Sequence, residues 1–160
     1  MTDSSPIAGS LAGELVGTWE LVSRMDLTTN GGERRLEPLL GEDPIALLYY
    51  DRTGYFAAQF MKRDRTLSRA SDAEAMSAAS GAPNNSRAQG GYDAYFGTYT
   101  VNDAQGTVTQ RLLGALSPGN VGLVLTRAMT VEGTVLTIKL ETATSSGESV
   151  MRTLVWRRVG

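Results

Sequence analysis

Five strand-length runs decide the fold: YDAYFGTYTVN (residues 92–102), TVTQRLLGAL (107–116), VGLVLTRAMTV (121–131), TVLTIKLETAT (134–144) and ESVMRTLVWRRV (148–159). Each is rich in β-branched and aromatic residues. Short turns part them: Asp103-Ala104-Gln105-Gly106, Ser117-Pro118-Gly119-Asn120, Glu132-Gly133 and Ser145-Ser146-Gly147. Four such turns in succession predict an up-and-down antiparallel sheet.

Working outward, residues 17–27 form the first strand. Trp19, Leu21, Ser23, Met25 and Leu27 are expected on one buried face, with Glu20, Arg24 and Asp26 on the wet one. Asn30-Gly31-Gly32 ends it, and residues 33–44, with Pro38 and Pro44, read as a loop. Strands at 45–51 and 55–62 are joined by the turn Asp51-Arg52-Thr53-Gly54. Residues 10–16 have room for one helical turn, after a disordered lead-in at 1–9; the barrel domain is placed at 10–160. Residues 63–91 break the strand pattern. There Ser71-Asp72-Ala73-Glu74 is a capping box, and an alanine-rich helix runs to Ser80 before Gly81 and Pro83. Such a connection suits a cover over an open end. Seven to nine strands of this length would leave long unpaired edges in an open sheet, so the prediction is an all-β barrel rather than a sandwich.

Composition narrows the chemistry. The 160 residues are 41% apolar and 20% charged, which fits one folded domain and neither a disordered nor a membrane chain. Residues 1–10 are polar and lack the pattern of a signal peptide, so a cytoplasmic location is expected. There is no cysteine, hence no disulfide, thiolate metal site or cysteine nucleophile. There is no histidine, which removes a Ser-His-Asp triad, haem ligation by histidine and the usual zinc sites. No cofactor motif and no metal-site spacing is present, so none is expected. A net charge of −2 disfavours nucleic acid as a partner; no stretch is long and apolar enough to span a membrane.

Several residues stand out for a pocket. Arg127 lies in phase with Val121, Leu123, Leu125, Met129 and Val131, so it is expected to point inward. A buried charge needs a partner. Three readings stay open: a guest carboxylate, enolate or carbonyl oxygen; an internal Asp or Glu; or a rim position that reaches water. Arg111 shares a face with Thr109, Leu113 and Ala115, and Gln59 shares one with Tyr55, Ala57 and Met61. Both are candidates for polar groups in the pocket, or else they face outward. Tyr95 and Tyr99 alternate around Gly97, and Tyr50 and Tyr55 flank a hairpin; they offer apolar area with a hydroxyl handle. Tyr95 or Arg127 would polarise a carbonyl in any chemistry, with Leu125, Met61 and Met129 among the apolar lining. Lys62, Arg63, Arg65 and Arg69 read as a solvated basic run.

Gly17-Thr18-Trp19 opens the first strand, and Arg157 and Arg158 end the last, which neighbours the first in a closed barrel. One of these arginines is expected to cover Trp19 by packing and a cation–π contact. A GxW on the first strand with an arginine on the last resembles the lipocalin, or calycin, signature. With Leu15-Val16-Gly17-Thr18-Trp19-Glu20-Leu21-Val22, Tyr49-Tyr50-Asp51-Arg52-Thr53-Gly54-Tyr55, Ala94-Tyr95-Phe96-Gly97-Thr98-Tyr99 and Leu154-Val155-Trp156-Arg157-Arg158, the chain is similar to the lipocalin-like domain family of small bacterial and fungal proteins. The resemblance implies a barrel with an internal pocket. Some similar proteins belong to secondary-metabolite pathways, a few as cofactor-free cyclases or isomerases. Similar proteins often carry a histidine where this chain has Thr109-Gln110-Arg111, so an imidazole-dependent activity is not implied. The expectation is a protein that binds a small apolar metabolite bearing a carbonyl or carboxylate. It would either catalyse a metal-free cyclisation, isomerisation or dehydration or act as a carrier. The remaining alternative is a structural or interaction barrel filled by its own side chains. Oligomeric state is left open.

Overall fold

Alternating burial along each strand shows why the sequence closes. In a computed structural model, which describes residues 9–36, 38–65, 88–144 and 146–160, nine strands form one sheet: β1 (Gly17–Thr28), β2 (Arg34–Arg35), β3 (Ile45–Tyr50), β4 (Tyr55–Met61), β5 (Tyr92–Asn102), β6 (Thr107–Ala115), β7 (Val124–Glu132), β8 (Val135–Ala143) and β9 (Ser149–Arg158). All named neighbours pair antiparallel, in the order β2-β1-β3-β4-β5-β6-β7-β8-β9. β1 also pairs with β9, from Trp19 opposite Arg158 to Thr28 opposite Val150. That pairing closes an eight-stranded antiparallel barrel, with β2 a two-residue addition to β1. The sheet thus hides the long edges that an open form would expose.

Three departures from the sequence reading matter. The loop expected at 33–44 contains β2. The strand expected at 121–131 begins three residues later, because Pro118–Asn120 forms a 3-10 turn and Val121 stays exposed. The third departure changes a face. The register between β1 and β9 shifts between Leu21 and Ser23, leaving Val22 as an extra, exposed residue. Before the shift Trp19 and Leu21 face inward as expected. After it Arg24, Asp26 and Thr28 are buried, while Ser23, Met25 and Leu27 are exposed. A bulge of one residue swaps the two faces of a strand, and this one brings two charges inside.

One end of the barrel is plugged by helix α1 (Leu11–Leu15). Ser10 caps it, its hydroxyl accepting from the Gly13 N–H, and Leu15 is fully buried. The Trp19 indole N–H donates to the Leu15 carbonyl at 2.9 Å. The Arg158 guanidinium lies 4.3 Å from the centre of the Trp19 ring and donates to the carbonyls of Val16, at 2.7 Å, and Glu14. Gly17 makes room for it: its φ is +144°, and a Cβ there would lie 2.4 Å from an Arg158 nitrogen. The expected closure is therefore made by Arg158 alone. Arg157 points outward and pairs with Glu20 at 3.5 Å. At the other end Leu39, Leu40 and Ala88 are buried in the core. The capped helix expected at 71–80, most of the lead-in and Arg69 lie outside the described residues. Among those described, no helix is long and apolar enough to cross a membrane.

Candidate functional site

Inward-facing residues from seven strands, β3 to β9, meet around a small cavity. It is lined by Leu48, Phe60, Tyr95, Gln110, Arg127, Met129, Ile138, Leu140, Leu154 and Trp156, and its free volume is about 20 Å³. That is room for about one water molecule. The side chains fill most of the barrel.

Arg127 points inward, as the alternation of β7 requires, with Leu125 and Met129 buried on either side. Burial disfavours its charge and lowers its pKa. Its one hydrogen bond among the described residues is a long one, 3.4 Å from a guanidinium N–H to the Thr126 carbonyl, and no carboxylate pairs with it. Guanidinium does not lose its proton in proteins, so this group stays a cation and a donor.

The aromatic wall is continuous. The Tyr50 and Tyr99 rings meet edge-on at 4.8 Å, and Tyr95 lies 6.1 Å from Phe56 and 6.3 Å from Phe60. Trp156 crosses Phe60 at 5.7 Å. Tyr50 is buried, accepts from the Gln110 amide at 2.7 Å and donates to the Met129 sulfur at 3.8 Å. Burial pushes the pKa values of Tyr50 and Tyr95 far above the ordinary phenol value. Both phenols are therefore neutral near pH 7, able to donate a hydrogen bond and unfit to act as a base. Tyr99, half-buried, is shifted the same way; its hydroxyl donates to the Asp51 carbonyl at 2.6 Å, at the rim.

The other expected pocket residues face away. Tyr55 and Gln59 are exposed on β4, and the Tyr92 hydroxyl donates to the Gln59 side chain at 2.5 Å on the outer surface. Met61 is only half-buried on that same outward face. Arg111 is exposed on β6 with Leu113. The inward face of β6 is instead Val108, Gln110 and Leu112. A larger space, about 210 Å³, lies against outward Ala57, Gln59, Ala94, Phe96 and Leu116. The basic run is used locally. Arg63 pairs with Asp43 at 3.1 Å, and Arg65 donates to the Gly90 carbonyl at 3.0 Å while covering the Tyr92 ring.

Sequence reading missed three inward features. Gln110 shares its phase with Val108 and Leu112, so its facing was readable. Arg152 and Trp156 share a phase with Val150 and Leu154, and that too was readable. Arg152 forms a two-pronged ion pair with Asp26, at 2.7 and 2.8 Å, with both side chains buried. The Asp26 half was not readable, because the bulge hides it. Trp156 is 1% exposed, and its indole N–H has no hydrogen-bond partner among the described residues. A buried donor left this way costs about 1–3 kcal/mol.

A family model described as a lipocalin-like domain matches residues 16–159. No curated protein matches the chain. The family match covers nearly every residue of the barrel, and the chain belongs to the lipocalin-like domain family.

Proposed function

From the premise of a lipocalin-like barrel, we propose that this protein binds a small, largely apolar metabolite inside the barrel with one of its oxygen atoms on Arg127. The observation that carries this reading is an arginine aimed into an apolar interior with no carboxylate among the described residues to neutralise it. A guest carbonyl, enolate or carboxylate would supply the missing partner. The same contact has a chemical use. A fixed cation in a water-poor cavity stabilises negative charge that develops on a carbonyl oxygen, and Tyr95 lines the same cavity as a neutral phenol. A metal-free isomerisation, cyclisation or dehydration needs little more than this, with the barrel holding the reactive conformer.

A second reading has its own observation. The cavity of about 20 Å³ is far smaller than a metabolite. If the side chains stay where they are, the barrel is filled and serves as a structural or interaction domain. The binding reading requires the wall to give way, and Met129 is its most adaptable member.

Native mass spectrometry of the protein incubated with a metabolite extract separates the two. Expected is a wild-type adduct of a few hundred daltons that Arg127→Met loses. A wild-type protein that stays bare supports the filled barrel and ends the binding reading. Turnover is tested by incubating the bound compound class with wild type, Arg127→Met and Tyr95→Phe and following products by liquid chromatography. Product formed equally fast by all three removes both residues from the chemistry. Binding without product leaves a carrier.

A further inference from the structure

We infer that this site selects an anionic head group, a carboxylate or enolate, which Arg127 and the indole N–H of Trp156 hold together. The inference rests on the binding reading above and adds the guest's charge and a second binding residue.

Two independent observations converge. Arg127 and Trp156, from different strands, line the same cavity. One is a cation with no ion-pair partner among the described residues, the other a buried N–H donor with no partner among them. A guanidinium and an indole can only donate hydrogen bonds. Two residues that can only donate, lining one cavity, are complementary to a group that only accepts. A hydroxyl would bring a proton of its own, whereas a carboxylate accepts from both.

The charge balance of the interior agrees. Among the described residues the buried charged ones, Arg24, Asp26, Asp93 and Arg152, are two of each sign, and Asp26 is already taken by Arg152. Arg127 adds a further positive charge to that interior. An anionic guest would restore neutrality in a medium where unbalanced charge is costly. Size is consistent as well. A space of about 20 Å³ takes one carboxylate oxygen in the place of a water, while the rest of the guest must displace the wall.

Trp156 also supplies the readout. The chain has two tryptophans, and the Trp19 indole N–H is bonded to the Leu15 carbonyl, so it serves as an internal control. The two indole N–H signals are followed in ¹H–¹⁵N spectra and assigned with Trp156→Phe. The probes are acetate, octanoate and 1-octanol, each against chloride at matched ionic strength.

Expected is a saturable downfield shift of the Trp156 signal with acetate and octanoate, little movement of the Trp19 signal, and octanol weaker than octanoate by about ten-fold or more. Arg127→Met should weaken octanoate by about ten- to hundred-fold, and Arg127→Lys by less. Octanol matching octanoate would overturn anion selection and leave the apolar-guest reading standing. Acetate shifting the signal while octanoate does not would uphold the head-group site and overturn the apolar guest. No response to any probe, or an equal response to chloride, would overturn the inference.

Discussion

Two inward arginines carry opposite expectations. Arg152 is locked to Asp26 by two hydrogen bonds inside the barrel. Arg152→Met strands a buried carboxylate, and denaturant unfolding should show a loss of about 3–5 kcal/mol. Asp26→Leu in the same chain should recover much of it, because removing both charges removes the cost of burying either. Arg127→Met strands no partner among the described residues, so its melting temperature should equal or exceed that of wild type. If Arg127→Met melts as low as Arg152→Met, then Arg127 holds the fold and the site reading fails. Sequence showed the facing of Arg127 through its phase with Leu125 and Met129. Arg152 carried the same signature beside Leu154 and Trp156. What sequence could not show is which arginine meets an acid, since Asp26 was placed on the outer face.

Bulges govern what was legible at the level of the strand. Where a strand runs without interruption, as β7 does, alternation read the correct face. β1 carries an extra residue at Val22, and every assignment beyond that point inverted. The second irregularity lies between β5 and β6, where the register jumps at Phe96 and Gly97. Tyr55, Gln59 and Arg111 were misread for another reason. Both faces of β4 and β6 carry apolar residues, with Phe56, Ala58 and Phe60 inside and Tyr55, Ala57 and Met61 outside or half-buried, so periodicity alone does not choose. The β5–β6 bulge makes a sharp prediction about two glycines. A Cβ on Gly97 would lie 1.7 Å from the Arg111 carbonyl oxygen, which is backbone in the paired strand and cannot step aside. A Cβ on Gly114 would meet the ring of Phe96 at 2.4 Å, but that ring is exposed and free to turn. Gly97→Ala should therefore cost about 3 kcal/mol or more, and Gly114→Ala under about 1 kcal/mol, measured by urea denaturation. Equal effects would mean that the bulge relaxes as easily as a surface side chain.

Over the whole molecule, the buried phenols tie stability to alkaline pH. Tyr50 and Tyr95 have pKa values raised by burial, so the folded protein keeps protons that the unfolded chain gives up near pH 10. Their stabilising effect is complete below about pH 10 and declines as the pH rises above it. Phenolate absorbance at 295 nm should therefore lag at about pH 11, then complete in step with loss of the far-ultraviolet signal. If Tyr50 and Tyr95 ionise while the barrel stays folded, solvent reaches the interior more freely than their burial implies. Barrel closure, the most legible property of the sequence, also has a consequence during synthesis. β1 takes β3 on one side and β9 on the other, so its second neighbour is the last strand of the barrel to be made. Until β9 arrives, the growing sheet has two raw edges, one on β1 and one on the newest strand. A ring of this kind cannot mature by halves, and pairing ends so distant in sequence is slow. The growing barrel is thus most exposed to sticking just before β9 pairs, and ribosome-stalled chains that lack β9 should bind chaperones more strongly than chains that include it.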